Sequence, residues 1–221
     1  MSVIITDPLL RDFASLSTAA VSDALDALRL PGSALGISPV APGSRLLGRA
    51  FTVRYLPIEL QPGSVGDYID DVPEGGVVVI DNAARLDCTV WGGILTEVAS
   101  RRGLGGTVIN GVCRDVASSR QQGYPIYSLG TFMRTGKDRV EVPETQCPVA
   151  LGDVRVRPGD VLFGDDDGVV VIPHARAEEV LDVAMRLHEA EERIVQATRK
   201  GMRLDEARRQ HNYHQLQRAQ G

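Results

Sequence analysis

Arg114 and Asp115 are adjacent residues of opposite charge that follow directly on Thr107-Val108-Ile109-Asn110-Gly111-Val112-Cys113, whose apolar start reads as a buried strand. The carboxyl ends of strands are where open α/β sheets gather ligands. An arginine offers a planar fork matched to a carboxylate or an enolate, and an aspartate beside it can hold a hard cation through one oxygen. Such a pair suits chemistry on a small 2-oxo acid. It equally suits a surface ion pair, or a helix start with Asp115 near the N-cap, so the two residues alone leave both readings open.

Three other groups could bear chemistry. Gly92-Gly93, followed by Ile94 and Leu95, opens a helix-like stretch; a helix amino end presents unpaired N–H groups and a partial positive charge that a carboxylate could occupy, although a plain glycine turn explains the pair too. Gly164-Asp165-Asp166-Asp167-Gly168 has a calcium-loop composition without the spacing or the closing glutamate, and reads as a turn whose aspartates bond loop N–H groups. Glu191 falls on the apolar stripe of a long helix when counted from Leu187 to Ile194, whereas Glu189 and Glu192 face solvent. A buried acid needs a partner: an arginine across an oligomer interface, or a metal-bound water in a site shared between subunits.

Several function classes drop out. His174, His188, His211 and His214 show no ligand spacing for zinc, and there is no nucleophile elbow, phosphate loop or dinucleotide fingerprint. Cys88, Cys113 and Cys147 form no close pair and are expected to be reduced, buried fillers. Lys+Arg 24 against Asp+Glu 29, a formal charge of -5, repels nucleic acid and anionic membrane. The tail carries Arg203, Arg208, Arg209 and Arg218, but interleaved acids and a single aromatic, Tyr213, make a poor nucleic-acid surface. With no signal-like start and no membrane-length apolar run, a cytoplasmic location is expected.

The elements that must position these residues follow from punctuation and periodicity. The 221 residues suit one α/β domain with a long C-terminal helix, residues 201–221 forming a solvated helix or frayed tail. Asp7-Pro8 and Ser17-Thr18 open two short helices, the second over 19–28. Residues 50–55 alternate as a strand, and Val77-Val78-Val79-Ile80 is continuously apolar, as a central strand buried on both faces would be, with Asp81 at its end. A βαβ unit runs through Gly92 to the strand at Thr107, and a further helix is expected over 116–122. Short strands near 126–129, 140–142, 149–156, 161–163 and 169–172 precede the long helix, which starts near Ala175 and carries Val180, Ala184, Leu187 and Ile194 on one stripe.

With these residues in view, the sequence resembles the family joining the regulator of ribonuclease activity A (RraA) with the 4-hydroxy-4-methyl-2-oxoglutarate aldolases. The resemblance rests on Ser17-Thr18-Ala19-Ala20-Val21-Ser22-Asp23-Ala24-Leu25, Gly92-Gly93-Ile94-Leu95, Gly111-Val112-Cys113-Arg114-Asp115, Gly164-Asp165 and Asp167-Gly168-Val169-Val170-Val171-Ile172-Pro173, with the family's long spacer between Gly93 and Arg114. It implies a swivelling β/β/α domain assembled as a homotrimer or homohexamer. Asp115 would ligate Mg or Mn, Arg114 would contact a pyruvyl group, and the amides at Gly92, Gly93, Ile94 and Leu95 would bind its carboxylate. The implied activity is metal-dependent carbon–carbon cleavage or decarboxylation of a small 2-oxo acid, and the alternative is a non-catalytic ring that binds a protein partner. Two positions depart from the pattern, since Gly93 and Ser118 stand where many family members carry acids. A carboxylate from a neighbouring subunit is also implied, for which Glu191 is the choice and Glu192 the rival.

Overall fold

Val77, Val78, Val79 and Ile80 begin β3 (Val77–Thr89), and their side chains divide between two cores. Val78 and Ile80 join Phe51, Trp91, Leu104, Ile109 and Tyr124, while Val77 and Val79 join Val108, Tyr127, Val149, Leu151 and Val156. Successive strand side chains point to opposite faces, so a strand covered on both sides has no polar position to spare. The computed structural model describes residues 7–59 and 65–213.

β2 (Leu46–Pro57) does double duty. Its first residues pair antiparallel with β9 (Val161–Asp165), and Ala50–Arg54 then pair in parallel with β3. β3 lies parallel to β4 (Gly106–Cys113), which lies parallel to β5 (Ile126–Thr131). β1 (Ser38–Pro39) and β10 (Gly168–Ile172) close the two ends, giving the order β1-β5-β4-β3-β2-β9-β10, with β6 (Val140–Thr145) also on β2. The crossovers are α3 (Gly93–Arg101) and α4 (Val116–Gln122). A third core gathers α1 (Pro8–Phe13), α2 (Thr18–Ala27) and the long α5 (Ala177–Arg199) over β9 and β10 through Phe13, Val21, Leu25, Phe163, Ile172, Val180 and Leu187.

The caps read from sequence form as expected: Asp7 Oδ1 accepts from the Leu9 amide, and Ser17 Oγ from the Ala20 amide. Two boundaries differ. β3 continues irregularly to Thr89, because Asp81 Oδ1 accepts from the Ala83 amide and turns the chain, Ala83 and Ala84 taking φ of 52° and 54° before pairing with β4 resumes. Residues 149–156 form a hairpin of β7 (Val149–Leu151) and β8 (Val154–Val156), with Gly152 left-handed at its turn. Past α5 the chain doubles back as α6 (Leu204–Gln210), largely exposed apart from the fully buried Ala207, so the described part of the tail is the solvated helix of the two readings rather than a frayed end. His214 and Arg218 lie outside the described residues.

Candidate active site

The strand ends near Arg114 are tied together by Thr89, a buried residue that sequence reasoning passed over. Its hydroxyl lies 2.8 Å from the Trp91 carbonyl and 3.0 Å from that of Val112, and its amide donates to the Arg134 carbonyl at 2.8 Å. One residue thus joins the end of β3, the end of β4 and, through its backbone amide, the 132–139 loop. No motif marks Thr89, because its role depends on which carbonyls the fold delivers to it. Trp91 Nε1 donates to Thr96 Oγ1, and Thr96 is bonded back to the Gly92 carbonyl, which fixes the first turn of α3.

Asp115 occupies the N-cap position of α4 with φ of 58°, a left-handed conformation that aspartate tolerates better than most residues. Its side chain does not cap α4. Asp115 Oδ2 instead accepts from the Gly93 amide at 2.7 Å, placing the carboxylate at the amino end of α3. Arg114 Nε stands 3.7 Å from the same oxygen, and the Arg114 amide is anchored on the Trp91 carbonyl at 3.0 Å. Both charged side chains remain accessible, at 41% and 49% exposure, as groups that must meet a ligand require. Oδ1 of Asp115 accepts no hydrogen bond among the described residues.

Glycine at 92 is needed for this approach. A Cβ there would stand 2.9 Å from Asp115 Oδ2, closer than Cβ contacts come, and 3.1 Å from Arg114 Nε, a tight approach. At Gly93 the same construction gives 3.3 Å to Asp115 Oδ2. The Gly93 amide, expected to serve a substrate carboxylate, is already occupied by Asp115. The amides of Ile94 and Leu95 in the first helical turn have no carbonyl of their own helix to bond. Ser118 Oγ, at the other position lacking a family acid, accepts from Gln122 Nε2.

These groups open onto a cleft of about 620 Å³ whose wall also includes Val65, Asp67, Asp70, Leu95, Thr135 and Lys137. Glu191 does not line this cleft within one chain. It sits half-buried on α5 and, within the chain, accepts from Tyr213 Oη at 2.7 Å. Glu189 and Glu192 are exposed, as their spacing requires.

The aspartate-rich turn bonds backbone amides, as anticipated. Asp165 accepts from the Thr18 amide at 2.8 Å, the Thr18 hydroxyl at 2.6 Å and the Asp167 amide at 3.0 Å, while Asp166 accepts from the Gly43 amide. Burial alone would raise the Asp165 carboxyl, but these hydrogen bonds outweigh it and hold the pKa below the ordinary aspartate value. Two sequence motifs 147 residues apart therefore form a structural joint between α2 and β9 rather than part of the cleft. All three cysteines are free and buried. No helix among the described residues is long and apolar enough to cross a membrane.

Comparison with known proteins places this arrangement in context. The RraA-like family, described as Aldolase/RraA, matches residues 18–171. Protein DlpA of Legionella pneumophila is 41% identical over 210 residues, covering 94% of this chain but only 34% of DlpA, so the chain spans about a third of that relative. A protein of Halalkalibacterium halodurans, provisionally named 4-hydroxy-4-methyl-2-oxoglutarate aldolase, is 33% identical across 83% of this chain and 86% of its own. Among solved structures, an uncharacterized protein from Pseudomonas syringae pv. tomato is 40% identical with a TM-score of 0.86, covering 92% of this chain and 98% of the other. RraAS2 of Streptomyces coelicolor, described as an unusual member of the RNase ES inhibitor RraA family, is 29% identical with a TM-score of 0.76, covering 84% and 95%.

Proposed function

The chain belongs to the RraA-like family, and from that premise we propose that it is a divalent-metal-dependent carbon–carbon lyase acting on a small 2-oxo acid, by aldol cleavage of a 4-hydroxy-2-oxo acid, by oxaloacetate decarboxylation, or both. The observation that carries this reading is the Asp115 carboxylate, held at the amino end of α3 beside Arg114 at an open cleft.

The residues fit a particular kind of metal. Among the described residues no three acidic, histidine or cysteine side chains lie close enough to form a cage. Asp115 keeps one oxygen without a hydrogen bond, which suits a hard cation such as Mg or Mn that takes its other ligands from water and substrate. When bound, such an ion stabilises negative charge developing on an enolate oxygen. The protein's own part is to orient and to compensate charge. Arg114 directs its guanidinium fork at the 2-oxo and carboxylate oxygens, and the Ile94 and Leu95 amides at the start of α3 receive the carboxylate. Glu191 is proposed to act from a neighbouring subunit in a trimer or hexamer, reaching the cleft of the adjoining copy.

A screen of 2-oxo acids for pyruvate release, with Mg or Mn supplied and then chelated, tests this directly. Metal-dependent release supports the reading, and no release from any oxo acid removes it.

The second reading is a ring-shaped regulator that binds a protein partner without catalysis. It is favoured by Gly93 and Ser118 in place of acids, and by Ile94 and Met133, 83% and 74% exposed near the Arg114 cleft.

A further inference from the structure

Aldol cleavage has to move a proton twice, yet the positions nearest Arg114 and Asp115 carry Gly93 and Ser118, neither of which can take one up at neutral pH. Besides Arg114, the cleft wall offers four charged groups among the described residues. Asp115 is committed to the Gly93 amide and, in the reading above, to the metal. Lys137 is an ammonium, a hydrogen-bond donor without an acceptor site. Asp70 is held by Arg102, which donates to its carboxylate at 3.4 Å and to its carbonyl at 2.8 Å. That leaves Asp67, which has no hydrogen-bonding or ion-pair partner among the described residues although it lines the same cleft.

The mounting of Asp67 is firm despite its exposure. It opens the 3-10 turn Asp67–Asp71, and the next two residues, Tyr68 and Ile69, are buried in the core shared with Trp91, Tyr68 stacking on Phe51 at 6.4 Å between centroids. Arg102 also donates to the Val72 carbonyl, so the carboxyl-terminal end of the turn is fixed. Gly66 precedes it at φ of 102°, and the Leu95 side chain fills the space where a Cβ would stand, at 2.6 Å. The turn is thereby seated directly against the helix whose first residues form the candidate site. A carboxylate carried by a short turn with buried anchors returns to one position, as an acid–base group must.

We infer that Asp67 is the proton carrier of this cleft, a role that rests on the lyase reading. In aldol cleavage its carboxylate accepts the proton of the substrate's 4-hydroxyl. The C3–C4 bond breaks, its electron pair forms the C2–C3 double bond of the pyruvate enolate, and C4 leaves as a carbonyl. The resulting carboxylic acid then returns the proton to C3, giving pyruvate and restoring Asp67.

The test compares Asp67→Asn and Asp67→Glu with the parent in turnover, pH profile and binding of oxalate by calorimetry with Mg present. The asparagine variant should lose about 100-fold in kcat, with KM and oxalate affinity little changed, and should lose the acid limb of the kcat profile. The glutamate variant should recover part of the rate, and both should melt with the parent. Unchanged kcat in Asp67→Asn overturns the inference, as does loss of oxalate binding or of folding, either of which makes Asp67 a ligand or structural group. A parent that releases no pyruvate overturns the lyase reading together with this one; an active parent with an unaffected variant overturns this one alone.

Discussion

The Gly93 amide donates to Asp115 Oδ2 at 2.7 Å, so the carboxylate proposed to hold a metal is oriented by the helix that is proposed to hold the substrate. An acid side chain at position 93 would have to share this space, since even a Cβ there comes within 3.3 Å of the same oxygen. Asp115→Asn keeps the size of the side chain and an acceptor for Gly93. Its melting midpoint should fall only slightly, by the part of a charged hydrogen bond, about 1 kcal/mol, that a half-exposed site retains. Mg should raise the parent's midpoint and leave the variant's unchanged. A variant that melts far below the parent without metal would make Asp115 a structural group.

Arg114→Lys replaces a bidentate fork with a point charge. Oxalate, an enolate mimic, should bind the variant at least about tenfold more weakly, by the ~1.4 kcal/mol or more that one charged hydrogen bond represents. Equal affinity in calorimetry would assign Arg114 to the surface ion pair alone.

Gly92→Ala inserts a methyl group 2.9 Å from Asp115 Oδ2 and 3.1 Å from Arg114 Nε. Both side chains must swing aside, at small cost to folding because both are partly exposed. Oxalate and Mg binding should weaken together while the fold survives. Retention of both would show that the two side chains act without their observed geometry.

Tyr213→Phe removes the hydrogen bond to Glu191 and keeps the ring. The hydroxyl is well below its pKa at neutral pH, since burial and the Glu191 charge push it up to about 12, so the bond is intact there. Its loss should lower the midpoint by roughly 2–4 °C, the effect of about 1 kcal/mol in a chain of this size. Light scattering should show a closed oligomer, and Glu191→Gln should reduce turnover. A fully active monomer would remove Glu191 from the mechanism and leave it as an anchor for the returning chain.

Asp165 supplies a pH dependence. Its folded-state pKa lies below the unfolded value of ~3.9. The stabilisation is therefore complete above that value and disappears as pH falls through the folded one. Asp165→Asn should melt below the parent at neutral pH, and the gap should narrow toward about pH 3. A gap independent of pH would mean that the ionised form of Asp165 has no special role in joining Thr18 to β9.

The sequence by itself determined a good deal: the helix starts at Asp7-Pro8 and Ser17-Thr18, the doubly buried run at Val77, the helix over 116–122, the stripe of α5, and the family through Arg114-Asp115 with its spacer from Gly93. These signals are local, set by caps, turn residues and periodicity that act over a few neighbours. The tertiary structure alone decided that Asp115 bonds to the start of α3 and not to its own helix, that Thr89 knots two strand ends and a loop, and that Thr18 meets Asp165. It also gave Glu191 a partner in Tyr213 and placed Asp67 on the cleft wall with no hydrogen-bond or ion-pair partner among the described residues. A hydrogen bond depends on atoms within about 3 Å of each other, and for residues 22 or 147 positions apart only the packing of whole elements brings them that close.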